Sequence, residues 1–530
     1  MSELDYWQGR LKKGAIDRRE FLGRAAALGA SAIAISSALT SVDAFAAETP
    51  KAGGTLRLGL GGGSTTDSWD IGSYTDSVMI DASHGVFNGL IEWAEDGKPK
   101  PDLASSIEPS KDAKEWVFNL RKGVKFSNGK ELTADDVLYS LNYHRGADSK
   151  SGGKASLAAV DDITKLDPHQ VKITLKGGDA DFLYSLTDYH LLVVPDGFKD
   201  WANPVGTGAF RSEKFDPGVR ISLKKNPDFY KEGRGHLDGA EITVINDAVA
   251  RFNALKSGQI DIINRVDPKA APLVAKTAGL QLVRAPGGWH VVSAMAIDKP
   301  PFDNPDLRLA LKFATNREQI LKALFNGIGT LGNDHPIPAT DPYFIHELPQ
   351  RKYDADKAAF YFKKSGLSNA DITLQVSDAA FNGAVDMGQL MEASAQAAKI
   401  PMQIKKEPAD GFWDNVWLKG AWVSSYWGGR AAATQMLSVA YGAGAPWNET
   451  HWKNERFEKL LADAKGELDE TKRKAYIWEM QAILNEQGGA IIPVFKDWVD
   501  AHHDKVGGHV PTGGFDMVNG MILEKAWLKS

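Results

Sequence analysis

The chain is expected to fold as an α/β or α+β protein, because runs that alternate with period two are interleaved with runs that carry helix-start signals. Leu56/Leu58/Leu60 alternate with Thr55/Arg57, Trp116/Phe118/Leu120 with Asn119/Arg121, Val171/Ile173/Leu175 with Lys172/Thr174/Lys176, and Val219/Ile221/Leu223 with Arg220/Ser222/Lys224. Alternation at that period puts every second side chain on one face, so each run reads as a strand with one buried side. Thr133-Ala-Asp-Asp136 and Thr315-Asn-Arg-Glu318 set a hydroxyl three residues before an acid, the pattern in which each caps the other's backbone N–H. Val137/Leu141 and Ile320/Leu321/Leu324 then supply apolar stripes. A third helix is expected from Asp354 to Gly366, since glycine suits the left-handed conformation that ends helices. There is no internal repeat and no long linker, and the length corresponds to about three domains.

The first 46 residues are set apart from the fold. Arg18-Arg19-Glu20-Phe21-Leu22 precedes a weakly apolar run from Ala25 to Val42 and then Ala44-Phe45-Ala46. That is the pattern of a twin-arginine export signal with an A-x-A cleavage site. Gly29, Ser31, Ser36, Ser37, Thr40 and Ser41 make the run too polar for a good membrane anchor, and no later stretch reaches 18 apolar residues. The expectation is a periplasmic protein, exported by the twin-arginine route, with no direct membrane anchor.

Composition narrows the chemistry. The formal charge is −6, with no basic tail, which argues against nucleic acid and anionic membrane as partners. There is no cysteine, so disulfides, thiolate catalysis, Cys-ligated zinc, iron–sulfur clusters and a lipid anchor on an N-terminal cysteine are excluded. Walker A, H-E-x-x-H and G-x-S-x-G patterns are absent. Gly59-Leu-Gly61-Gly-Gly-Ser64 departs from the dinucleotide fingerprint at its sixth position and reads as a loop after a strand. His502, His503 and His509 read as part of a polar, glycine-rich loop without a matched acid. No cofactor and no catalytic residue are therefore expected. Because the twin-arginine route carries folded cargo, an exported hydrolase or redox enzyme stands as an alternative of another class.

Tryptophan is the conspicuous residue: six of fifteen lie at 413, 417, 422, 427, 447 and 452. Large rings with a polar tip serve ligand pockets and cores alike. Trp417, Trp422 and Trp452 sit in helix-like or strand-like runs and read as core. In Ser424-Ser-Tyr-Trp-Gly-Gly-Arg430 an aromatic ring, two glycines and an arginine converge, which suits close approach to a ligand and a forked donor for a carboxylate. Gly287-Gly288 lies between a strand-like run, 282–284, and an apolar one, 291–297. It reads either as a hinge between lobes or as a plain turn.

Ordered landmarks along the rest of the chain resemble the family 5 extracellular solute-binding proteins of ABC importers. They include Gly53-Gly-Thr-Leu-Arg-Leu58, Val86-Phe-Asn-Gly-Leu90, Pro101-Asp-Leu-Ala104, and the run Trp116-Val-Phe-Asn-Leu-Arg-Lys-Gly-Val-Lys-Phe-Ser-Asn-Gly129 followed by Thr133-Ala-Asp-Asp-Val137. Pro204-Val-Gly-Thr-Gly-Ala-Phe210, Lys225-Asn-Pro-Asp-Phe-Tyr230, Ala254-Leu-Lys-Ser-Gly-Gln-Ile-Asp261 and Leu307-Arg-Leu-Ala310 continue the series. The resemblance implies an α/β, two-lobed, periplasmic-binding-protein-like (type II) fold with an inserted subdomain. Residues 47–85, 200–285 and 497–530 would form lobe 1, residues 86–199 the subdomain inserted in it, and residues 286–496 lobe 2. It further implies a monomeric, non-enzymatic receptor that closes on a small-molecule solute and delivers it to an ABC importer membrane permease.

Peptide-binding members of the family resemble one another in an Asp-Tyr-x-Asp-Pro run where this chain reads Ser425-Tyr-Trp-Gly-Gly429. Glycine offers no counter-charge to a peptide's ammonium, and a buried unpaired ammonium costs several kcal/mol. An acidic solute held by Arg430, an aromatic-caged cation, and opine-like or modified amino-acid solutes fit better than a standard peptide. A metal- or metal-chelate-binding receptor using His290 beside Trp289 is the alternative within the same fold. The candidate ligand-binding residues are Tyr74, Trp289, His290, Trp427 and Arg430, with Trp69 and Trp447 as second choices.

Overall fold

Alternation in the sequence is realised as burial on one side of each strand. A computed structural model describes residues 49–529 except 368–369, 382 and 409–411, so the expected export signal at 1–46 lies outside the described residues. Leu56, Leu58 and Leu60 are fully buried on the Thr55–Leu60 strand, and Trp116, Phe118 and Leu120 are buried on Glu115–Leu120. Val171, Ile173 and Leu175 are buried on Gln170–Leu175. The fourth run needs a correction: Val219 is 59% exposed, because it lies in the hairpin turn ahead of the Arg220–Lys225 strand, whose Ile221 and Leu223 are buried.

The helix signals place two starts at the expected residue and one a residue later. Thr133 caps Ala134–Tyr143, and the Asp136 carboxylate accepts the Thr133 N–H at 2.8 Å. Asp354 caps Ala355–Ser365, which ends at Gly366 with φ 73°. For the third helix, Arg317–Phe325, the cap is Asn316, whose side chain accepts the Gln319 N–H at 3.0 Å. Thr315 instead donates its hydroxyl to Leu311 O of the preceding helix, Pro305–Ala314.

Residues Ala52–Leu528 form one unit organised by a twelve-stranded mixed sheet. Ten strands form its path, Met402–Lys406, Ile372–Val376, Trp422–Trp427, Leu280–Met295, Val494–His503, Ile262–Ile263, Thr55–Leu60, Gly239–Val244, Arg220–Lys225 and Phe210–Asp216, and Gly329–Leu331 and Ala490–Ile491 pair off it with Val494–His503 and Leu280–Met295. The N-terminal strand is parallel to both of its neighbours, Gly239–Val244 and Ile262–Ile263, so segments some 180 residues apart in the chain pair directly. A separate antiparallel sheet is built from Ala104–Pro109, Glu115–Leu120, Gln170–Leu175 and Val160–Asp167.

Apolar burial follows the same division. One cluster joins residues between Leu56 and Phe87 to residues 192–262 and 506–526, a second is drawn from Leu90 to Val193, and two more from Val291 to Phe495. One strand crosses between the first and last groups. Leu280–Met295 pairs with Val494–His503 from Leu280↔His503 to Pro286↔Asp497, and then with Trp422–Trp427 from His290↔Trp427 to Met295↔Trp422. Gly287-Gly288 is therefore no turn: it lies inside this strand, where the register shifts between Pro286 and His290 as a bulge. His502 and His503 likewise belong to the Val494–His503 strand rather than to a loop.

Candidate functional site

The bulge meets the end of the neighbouring strand through Gly288 and Gly429, while Gly287 packs against the strand on its other side. A Cβ on Gly288 would stand 2.9 Å from Gly429 Cα, and one on Gly287 would stand 2.7 Å from Lys496 O. Neither approach tolerates a side chain, so glycine at these positions lets the 428–430 loop lie against the bulged strand. The consequence is that Trp289 and Arg430 come to the wall of the same cavity, of about 450 Å³. That volume falls in the usual range for small-molecule sites.

Three separated stretches of chain wall this cavity. Trp93, Tyr184 and Tyr189 come from one, Trp289, Arg430 and Gln435 from a second, and Trp498, Phe515 and Asn519 from a third. Rings pack on one another at the wall: Trp498 and Tyr189 lie 5.5 and 6.2 Å from Phe515, and Trp289 is backed by Tyr426, outside the lining, stacked at 5.5 Å. Asn519 ends a run in which Met517, Val518 and Asn519 all have left-handed φ (51°, 61° and 57°). A β-branched residue in that region is strained. Asp500 holds the run by accepting the Met517 N–H at 3.0 Å, and the Thr512 hydroxyl accepts the Asn519 N–H at 3.1 Å.

The carboxylates that reach the cavity are already engaged by the protein. Glu92 lies 3.1 Å from Arg234 and 3.3 Å from both Lys231 and Lys525. Burial alone would raise its carboxyl, but Lys231, Lys525 and Arg234 hold it at about 2. Asp102 lies 2.8 Å from Lys231 and accepts the Tyr230 hydroxyl at 2.5 Å. Asp188 pairs with His190 at 2.7 Å and accepts the Ser156 hydroxyl. Arg430 is different. Among the described residues its Nη1 donates to the carbonyls of Gly428 and Gly429 alone, at 3.0 and 3.1 Å, and its guanidinium stands 5.7 Å over the Trp427 ring. Burial lowers its pKa from the ordinary value with no acid opposing the shift.

Of the five candidate residues, Trp289 and Arg430 line the cavity, while Tyr74, His290 and Trp427 do not. Tyr74 is 2% exposed, donates its hydroxyl to Trp69 O at 2.8 Å and packs on His190. His290 is fully buried between strands, and its Nδ1 pairs with Gly288 O at 2.9 Å. Burial pushes that imidazole down to about 4, so it stays neutral. Alternation explains the miss, since in an extended strand the neighbour of a cavity-facing Trp289 points to the opposite face.

Trp427 is buried because Glu449 takes its indole N–H at 2.8 Å. Glu449 also accepts from Trp417 Nε1 at 2.7 Å and Ser425 Oγ at 2.6 Å, so two of the six clustered tryptophans serve to satisfy one buried acid. Trp69, Trp422 and Trp452 are core residues, and Trp447 is 48% exposed away from the cavity. His509 lies 3.4 Å from Asp500, and among the described residues there is no group of three or more His, Asp or Glu arranged to hold a metal.

Sequence reasoning missed Trp93, Tyr184, Tyr189, Gln435, Trp498, Phe515 and Asn519. Only Trp498, an aromatic next to alternating Val499 and Ala501, carried a local signal. At the cavity wall Gln435 Nε2 donates to Ser185 Oγ at 2.8 Å, and beyond it Thr434 donates to Asp181 and Arg473 lies 3.1 Å from Asp181. These contacts join the 181–185 stretch to the 434–473 stretch.

The model of the bacterial extracellular solute-binding proteins, family 5 (middle), matches residues 98–449. Di/tripeptide-binding protein 1 of Pseudomonas aeruginosa (strain UCBPP-PA14) is 27% identical over 463 residues, which cover 79% of this chain and 85% of that protein. The structure of HbpA2 from Haemophilus parasuis matches with a TM-score of 0.82 at 22% identity, over 90% of this chain and 100% of that one. The binding protein AgaA from A. tumefaciens R10, in complex with agropinic acid, matches with a TM-score of 0.71 at 24% identity, over 90% and 99%. The fold is thus the two-lobed α/β fold of periplasmic binding proteins. Because that family model spans well over half of the chain, this chain belongs to the family 5 bacterial extracellular solute-binding proteins and is a substrate-binding protein of the ABC-importer type.

Proposed function

We propose that the protein is the periplasmic receptor of an ABC importer, exported through residues 1–46, which captures a small organic solute by lobe closure and delivers it to the membrane permease as a monomer. Lobe 1 comprises residues 47–85, 200–285 and 497–530, with 86–199 inserted, and lobe 2 comprises 286–496. The observation that carries this reading is the cavity of about 450 Å³ walled by residues of the inserted segment, of lobe 2 and of the 47–85 and 497–530 parts of lobe 1, with Trp289 and Arg430 on the lobe 2 side. The strand Leu280–Met295 carries the chain between lobes, and its glycine bulge is where a rotation would concentrate. The solute is opine-like, a modified amino acid or a short peptide. The relative binding di/tripeptides and the fold neighbour holding agropinic acid support that range.

Closure is driven by differential contacts, because a solute shifts the lobes only by what it gains in the closed state. Micromolar or tighter binding, about −8 kcal/mol or stronger, is expected. A thermal-shift screen of opines, amino-acid derivatives, betaines and short peptides, followed by calorimetry, tests the reading. At least one saturable, unmodified solute is the expected result, and stabilisation by none of these classes would remove it.

A further inference from the structure

We infer that Asn519 is a positioning residue of the solute cavity: its amide fastens the hairpin that carries Trp93 to the loop that carries Phe515, and so fixes two rings of the wall relative to each other. This deepens the receptor reading and rests on it. In the sequence Asn519 is one polar residue in a glycine-rich stretch. Folding buries it to 6% exposure against Trp93, 426 positions away in the chain.

Both ends of the amide are used. Its Nδ2 donates to Trp93 O at 3.3 Å and to Ala94 O at 3.2 Å, at the end of the hairpin of Ile91–Trp93 with Pro99–Pro101. Its Oδ1 accepts the Phe515 N–H at 3.0 Å, and the Thr512 hydroxyl donates to Phe515 O at 3.2 Å, so Phe515 is held at both sides of its backbone. A Cβ on Gly514 would stand 2.5 Å from Trp93 Cζ2, so the Trp93 ring packs on bare backbone beside the amide. Phe515 passes the constraint on to Trp498 and Tyr189, which pack against it. One side chain thereby governs the placement of four of the rings that wall the cavity.

The backbone favours this role over a plain chain reversal. Met517, Val518 and Asn519 have left-handed φ of 51°, 61° and 57°, and Gly520 follows at 77°. L-residues enter that region singly, because Cβ crowds the next carbonyl, and a β-branched valine there is strained. Strain of this kind persists where the surroundings over-determine it, and it gathers at functional sites. Here the turn closes through the Gly520 N–H to Asp516 O at 2.9 Å and delivers the Asn519 amide to Trp93. A turn that only reversed the chain would be met with less strain by glycine at 518 and 519.

Glycine substitutions therefore separate the two roles. Glycine at 519 accepts the same φ without an amide, whereas glycine at 518 relieves the valine and leaves the amide in place. Affinity is read by calorimetry with octopine and with Ala-Phe, one opine and one short peptide, and hydrogen exchange is followed over residues 91–97 of the empty protein. Asn519→Gly should weaken whichever probe binds the parent at least tenfold and speed exchange in 91–97 at least tenfold, while melting stays within a few degrees of the parent. Asn519→Asp keeps the acceptor for Phe515 and lacks the donor to the hairpin, so it should show the same two losses. Val518→Gly should keep parent affinity and parent exchange.

Parent affinity in both Asn519 variants would overturn the inference and leave the receptor intact. So would equal losses in Val518→Gly and Asn519→Gly, since the turn alone would then matter, and so would weaker binding without faster exchange, since Asn519 would then act on the solute itself. Where neither probe binds the parent, exchange decides: faster exchange in 91–97 upholds the inference and unchanged exchange overturns it. Failure of the whole solute screen removes the receptor reading instead.

Discussion

Neighbouring residues with similar chemistry have opposite fates here, and burial decides which. Trp289 is half-buried on the cavity wall, while Trp427 is 5% exposed and bound through its indole to Glu449. Trp289→Ala should therefore weaken solute binding at least tenfold, as read by calorimetry, with little change in the denaturation midpoint of the empty protein. Trp427→Phe should do the reverse. It removes one of three donors from a buried carboxylate, which costs about 1–3 kcal/mol, so guanidinium unfolding should shift while affinity changes less. Equal effects of the two substitutions on binding would contradict this division.

Asp341 supplies a second test at the same scale. Burial pushes its carboxyl up to about 7 from an ordinary 3.8, the nearby charge of Asp181 adds to the shift, and the Tyr343 N–H and Arg473 oppose it. The folded protein thus carries a proton there that the unfolded chain has lost between about pH 4 and 7, so this group's contribution to stability falls as pH rises through that window. Asp341→Asn should make melting temperature less steeply pH-dependent between pH 5 and 7. Asp179 and Asp516, both raised by burial to about 6, should leave part of the slope in place.

At the scale of elements, the long strand Leu280–Met295 and the loop after Trp422–Trp427 work as one unit, because Gly288 and Gly429 allow their backbones to touch. Gly288→Ala inserts a methyl 2.9 Å from Gly429 Cα. Overpacking of that kind costs about 1–3 kcal/mol. It should also lower affinity about tenfold by moving Arg430 relative to Trp289, even though neither side chain is altered. A binding isotherm identical to the parent would show that the two elements are not coupled. The helices were more legible than this junction. Asp136 and Gly366 act within a few residues of the ends they define, so local spacing sufficed. The shift from Thr315 to Asn316 arose because the preceding helix claimed the threonine hydroxyl.

For the whole molecule, the contacts of Asp181 with Thr434 and Arg473 join segments that the proposed lobe assignment places on opposite sides of the cleft. Asp181→Ala should shift the empty protein toward an open form, seen as a larger radius of gyration in X-ray scattering, and weaken solute binding several-fold. Solute at saturation should restore the compact form. A radius unchanged by the substitution would show that these contacts do not bias closure.

The amino-acid order by itself determined the α/β class, most strand faces, most of the helix ends it marked and, through ordered landmarks such as the 116–137 run, the family. Each of these depends on spacing over a few residues or on resemblance along the chain. It also singled out Trp289 and Arg430, since a ring beside a glycine pair and an arginine after one are local signals. The tertiary structure alone decided that Tyr74, His290 and Trp427 turn into the core, that Tyr184, Tyr189 and Phe515 complete the wall, and that the Asn519 amide joins Trp93 to Phe515. A cavity wall assembled from strands and loops hundreds of residues apart has no periodicity to read. Which backbones one amide can join depends on every segment that folding brings within its reach.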